Sequence, residues 1–230
     1  MNNKAKNSQQ IKKITALAVF AAVAYAVHFV HIPVAFLNLD FKDVITTVCG
    51  MYFGPVSGVV VALIVPILEY PTSSTGPYGL IMNIISSVTF VGVASVVYRF
   101  KKTLSGAIAA LCAAVLSMTA IMMIANLFIT PFYMGISRAA VVEYIPKLLL
   151  PFNAIKALLN AALTLCLYKP LTNVLKKTGF GKQSVYVELD ASAQRQAKLR
   201  SIIVWIVGGS IAIVSLCIIF FVLGGSIAFN

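Results

Sequence analysis

The sequence predicts an all-α, polytopic membrane protein. Of its 230 residues, 60% are hydrophobic and only 10% are charged, and the mean hydropathy is +0.95. That balance lies outside the range of soluble globular domains. The apolar residues also fall into runs of membrane-spanning length, with short basic patches between them.

The formal charge is +12. A basic excess can serve nucleic acid, but here Lys and Arg occupy the gaps between apolar runs, so they read as a topology signal and no nucleic-acid partner is expected. Cys49, Cys112, Cys166 and Cys217 lie inside apolar segments with no paired spacing, which argues against a disulfide framework or a metal site.

A hydrocarbon core about 30 Å thick needs roughly 20 helical residues. By that ruler the spans lie near 11–30, 43–53, 55–69, 78–98, 104–130, 146–168 and 202–223. The N-terminal "MNNKAKNSQQIKK" resembles the start of a signal peptide, but no cleavage site follows, so the first run is expected to be a retained helix. The second and third spans are short and flank "CGMYFGPVSG", whose glycines and proline favour a tight turn between two tilted or imperfect helices. Three units follow: six helices over 1–170, a polar cytoplasmic linker over 171–200, and an additional transmembrane helix over 201–230 that reads as an accessory anchor.

With the N-terminus inside, fourteen of the 18 Lys and Arg residues lie on the inner side. Only Lys42, Arg138, Lys147 and Lys156 fall outside or within the membrane. The positive-inside rule therefore predicts a multi-pass membrane protein with a cytoplasmic N-terminus. Asp40, Asp43, Glu69 and Glu143 then gather at the outer end.

The sixth span, "LLLPFNAIKALLNAAL", carries a lysine in its middle, at a cost of about 2.5–3.5 kcal/mol on insertion scales. Asn153, Lys156, Asn160 and Thr164 stand at i, i+3, i+7 and i+11, forming one polar stripe on an apolar rod. Such a stripe must face protein, water or a ligand. Asn126 is a second deep polar residue. The structural alternative is interhelical bonding for Asn126 and, for Lys156, snorkelling or pairing with Glu69 or Glu143. The loop "AFLNLDFKDV" alternates apolar and polar residues, offering Phe36, Leu37, Leu39 and Phe41 to cover a flat molecule or to form an interfacial belt. "TSSTGPYGLIMN" adds Tyr78, Gly79 and Asn83 around a helix start. On the first helix, Ala18, Ala22 and Ala26 form a small-residue face that permits close helix approach.

Three chemistries lack their machinery. "GFGKQ" is missing the glycine spacing and hydroxyl residue of an ATP-binding loop. No HExxH occurs, and His28 and His31 have no metal-ligand companions in the sequence. No Ser/His/Asp set suggests a nucleophile, so no enzymatic activity is expected.

"FLNLDFKDV", "GPYGLIMN" and "LLPFNAIK" together resemble the riboflavin-binding S components of energy-coupling factor (ECF) transporters, the RibU type, over roughly residues 10–170. The resemblance implies a six-helix protein of the bacterial plasma membrane that captures riboflavin from outside and delivers it inward. Its partners would be a transmembrane T component and two cytoplasmic ATPases. It places Asn126, Asn153 and Lys156 against the flavin ring, and assigns docking of the T component to Ala18 and Ala22, with Ala26 at the same spacing. Riboflavin would be cargo, with no cofactor required; its phosphate FMN, another vitamin, or a noncatalytic scaffold role are the alternatives. Some relatives have an acidic residue where this chain has Asn153, so a Lys–carboxylate pair at Lys156 is expected to be missing. The resemblance says nothing about the seventh span.

Overall fold

The computed structural model describes residues 3–35, 37–73, 75–177, 191–221, 223 and 228–229. Eight α-helices and three strands occur among them: α1 (Asn3–His28), β1 (Val30–Val34), β2 (Leu37–Asp40), α2 (Lys42–Phe53), α3 (Pro55–Glu69), α4 (Gly76–Phe100), α5 (Leu104–Met134), α6 (Arg138–Tyr144), α7 (Leu150–Lys177), α8 (Ala191–Phe221) and β3 (Ala228–Phe229). Six helical stretches are long and apolar enough to cross a membrane.

Of the seven expected spans, the second is the exception. At 12 residues, α2 rises only about 18 Å, well short of a bilayer core. It is instead buried within the bundle, with Lys42, Asp43, Thr46 and Thr47 all inside. The turn between α2 and α3 depends on Gly54, whose φ of 101° belongs to glycine. Past that turn the two helices nearly touch: a Cβ on Gly58 would lie 2.5 Å from the Gly50 Cα.

The sixth span is also more elaborate than a single rod. After the left-handed Gly135 ends α5, Ser137 caps α6 by accepting the Ala140 amide. A π-helical turn over Ile145–Leu149 then feeds α7.

The first loop is a β-hairpin. β1 and β2 pair antiparallel with Val34 opposite Leu37, and Ala35 adopts a positive φ of 53° at the turn, the backbone that two-residue hairpin turns require. β3 adds to the other edge of β1, pairing Phe229 with Val30 and Ala228 with His31. That pairing stops short of Pro33, which has no N–H to give.

Packing ties these parts together in three clusters. Phe20, Ala24, Val48 and Val61 join α1, α2 and α3. Phe90, Leu111, Met118 and Ala157 join α4, α5 and α7. Ile32, Leu39, Phe152, Leu159, Ala212 and Ile219 join the hairpin to α7 and α8. α8 therefore lies along α7. α7 runs to Lys177 and α8 starts at Ala191, so helix enters both ends of the expected linker; residues 178–190 lie outside the described residues.

Candidate functional site

A cavity of about 650 Å³ opens where the hairpin meets the start of α4, the end of α5 and the start of α7. Its volume is in the ~300–1,000 Å³ range of small-molecule sites. Asn126, Asn153 and Lys156, from two helices, all line it and are all buried.

Each amide is held by its own helix. Asn126 donates through Nδ2 to the Met122 carbonyl at 2.7 Å, and its Oδ1 accepts from Thr130 at 2.9 Å. Asn153 donates to the Leu149 carbonyl at 2.8 Å. An amide has two donors and two lone pairs, so each side chain is oriented and still keeps bonding capacity for a guest.

Lys156 is not without a carboxylate. Its Nζ donates to Asp40 Oδ2 at 3.1 Å, which corrects the expectation drawn from Asn153. The acid comes from the end of β2, and neither Glu69 nor Glu143 is the partner. Burial alone would raise the Asp40 carboxyl, but the ammonium groups of Lys156 and Lys42 hold it well below the usual carboxylate range. Lys42 Nζ lies 3.8 Å from Asp40 Oδ2 and is bonded to Glu69. Asn83 reaches the same Glu69 at 3.4 Å, and His28 Nδ1 lies 3.4 Å from its other oxygen. A chain of alternating charge thus runs from the cavity wall into the bundle behind it, Lys156 and Asp40 on the lining, then Lys42 and Glu69. Among the described residues Asp40 Oδ1 has no hydrogen-bond partner.

The walls are mixed. Phe29, Met82, Met122, Ile129 and Phe152 give apolar surface, and Tyr78 and Tyr133 add aromatic rings near the mouth. Leu37, Gly79 and Asn83 line the cavity as expected from their loops. Leu39 and Phe41 do not: Leu39 is buried in the cluster beneath the hairpin and Phe41 packs against it. Phe36 lies outside the described residues. Lys42, Glu69 and Asp40 are the residues that sequence reasoning missed as a set. Their one sequence signal was an excess of charge at the outer end.

On α1, Ala16, Phe20, Ala21 and Ala24 face the bundle, while Ala18, Ala22 and Ala26 are exposed. Asn160 and Thr164 continue the α7 stripe inward and are buried.

Comparison with known proteins agrees with this architecture. The chain is 32% identical over 188 residues to the riboflavin transporter RibU of Staphylococcus aureus, covering 77% of this chain and all of that one. It is 25% identical to the riboflavin transporter FmnP of Bacillus subtilis, covering 65% of this chain and 86% of the relative. A solved structure, described as the S component of a bacterial ECF transporter, superposes with a TM-score of 0.64 at 31% identity, over 73% of this chain and 99% of that chain. A family model for the substrate-specific component of ECF transporters matches residues 12–168. On a match that spans most of its length, the chain belongs to the family of ECF transporter substrate-specific components.

Proposed function

We propose that this chain is the riboflavin-capturing subunit of an ECF importer, and that the cavity holds the isoalloxazine ring. The observation that carries the reading is the convergence of Asn126, Asn153 and Lys156 on one cavity whose remaining wall mixes apolar and aromatic side chains with hydroxyl and amide groups. A flavin has an apolar dimethylbenzene edge and an edge of carbonyls and ring nitrogens. An apolar slot with a few converging donors and acceptors matches both. Without those partners, each buried ring carbonyl or N–H would cost about 1–3 kcal/mol.

The paired charges favour the vitamin over its phosphate. Lys156 on the lining is offset by Asp40, and Lys42 behind them by Glu69, so the cavity is given polarity with little net charge for a phosphate to answer. The distribution of Lys and Arg supports a cytoplasmic N-terminus. Ala18, Ala22 and Ala26 form the face for a T component that works with two ATPases. Delivery then requires the hairpin to leave the cavity mouth when that partner engages.

Titration of the purified protein with riboflavin, followed by quenching of flavin fluorescence, tests the reading. Asn126→Ala and Lys156→Met should each weaken binding by about tenfold or more, on the order of one charge-assisted or two neutral hydrogen bonds, and FMN should bind more weakly than riboflavin. Unchanged affinity in both variants would refute the assignment. If both variants instead lose thermal stability and the wild type binds no flavin, the stripe serves only to lock helices.

A further inference from the structure

A second cavity, of about 350 Å³, lies at the opposite end of the bundle, around the α2–α3 turn. Lys13 of α1, Arg99 of α4 and Lys102 just beyond it line the opening. None of the three forms an ion pair among the described residues. The four described carboxylate side chains, Asp40, Asp43, Glu69 and Glu143, are all at the hairpin end, so among the described residues no carboxylate neutralises this group.

Two further features point inward. α3 begins here at Pro55 with no side-chain cap, leaving the amides of Val56 and Ser57 without helical acceptors and the positive end of the helix dipole toward the cavity. Ser95, only 1% exposed, lines the cavity, and its Oγ has no hydrogen-bond partner among the described residues. A site with three cations, two free amides and a buried unsatisfied hydroxyl is built for an anion with several acceptor oxygens. An apolar rim adjoins it: Val56 on its lining is 79% exposed, and Ile14 and Phe100, next in sequence to Lys13 and Arg99, are 67% and 84% exposed. A free ion has no use for that rim, whereas an acyl chain would cover it.

We propose that this cavity binds the phosphate headgroup of an anionic glycerophospholipid, with Lys13, Arg99 and Lys102 around the phosphate and the chains lying over Val56 and Phe100. Basic pockets between transmembrane helices are a recognised way to select such lipids. The site is separate from the ligand cavity and would hold whichever molecule that cavity carries.

Native mass spectrometry of the full chain in detergent tests the proposal, with phosphatidylglycerol, phosphatidylcholine and inorganic phosphate as probes. The wild type should retain phosphatidylglycerol over phosphatidylcholine. The Lys13→Gln, Arg99→Gln, Lys102→Gln triple variant should retain at least tenfold less, at about fivefold per cation, with unaltered thermal unfolding. All three side chains are exposed, and the single variants Lys13→Gln and Lys102→Gln, each about fivefold down, keep the test open if the triple variant does not fold. Equal retention of the two lipids, or undiminished retention by the variants, overturns the proposal. So does displacement by millimolar inorganic phosphate, which would make the site one for a free anion. Unchanged lipid retention with lost assembly onto the T component would assign the charges to a protein partner instead.

Discussion

Lys42 is the largest of the fully buried side chains, at 1% exposure, and it sits between Asp40 and Glu69. An ammonium so placed is tolerated only while its partners stay, because removing one member of a buried pair strands the other at about 3–5 kcal/mol. Lys42→Met should therefore lower stability by about that amount, whereas Lys42→Met combined with Glu69→Leu should recover most of it; thermal unfolding in detergent, arranged as a double-mutant cycle, measures both. A double variant as unstable as the single one would show that the pair is not the source of the cost. Residues of this kind were only partly legible in advance. Asn126, Asn153 and Lys156 stand out because each interrupts an apolar helix, a signal contained within a few turns. The partner of Lys156 is 116 residues away, and no local pattern identifies which of several outer carboxylates folds back to it.

The same limit governs whole elements. Long apolar helices were legible from length and hydropathy, since the bilayer imposes one ruler on all of them. The hairpin was not, although "FLNLDF" has the period-2 alternation of a strand, because its pairing and its third strand depend on chain ends far apart in sequence. The short helix α6 was likewise not legible, because Arg138–Tyr144 falls between the fifth and sixth expected spans, where an outer loop was expected. The α2–α3 pair shows what a tight turn demands: a Cβ on Gly50 would fall 2.1 Å from Ser95 Oγ, and one on Gly58 would meet backbone. Gly58→Leu should force α2 and α3 apart, cost about 1–3 kcal/mol or more through overpacking, and loosen the Lys42–Glu69 pair that bridges the same two helices. Hydrogen exchange at α2 amides reads the change, and unaltered protection would mean that the close approach is dispensable. Gly208 makes the matching contact between α8 and α7, where a Cβ would lie 2.8 Å from Cys166 Sγ.

At the scale of the whole molecule, the family match ends at residue 168, while the structure continues through α8 to a strand that returns to the hairpin. α8 contributes Ala212 and Ile219 to the cluster holding Ile32, Leu39 and Phe152, and β3 extends the sheet by bonding to β1. The extra helix is thus connected, by packing and by backbone hydrogen bonds, to the hairpin that lines the larger cavity. None of Asn126, Asn153 or Lys156 belongs to it. A chain ending at Lys177 should accordingly keep its cavity and bind ligand, but its hairpin would lose an edge strand and part of its apolar support and should open more often. The expected result is a faster release rate, several-fold, with a smaller change in association rate, read by stopped-flow flavin fluorescence. Equal release rates in the full and shortened chains would mean that α8 does not restrain the hairpin. Loss of all binding would mean instead that the bundle needs α8 to form the cavity at all, which is the outcome least compatible with a full-length relative that aligns over only 77% of this chain.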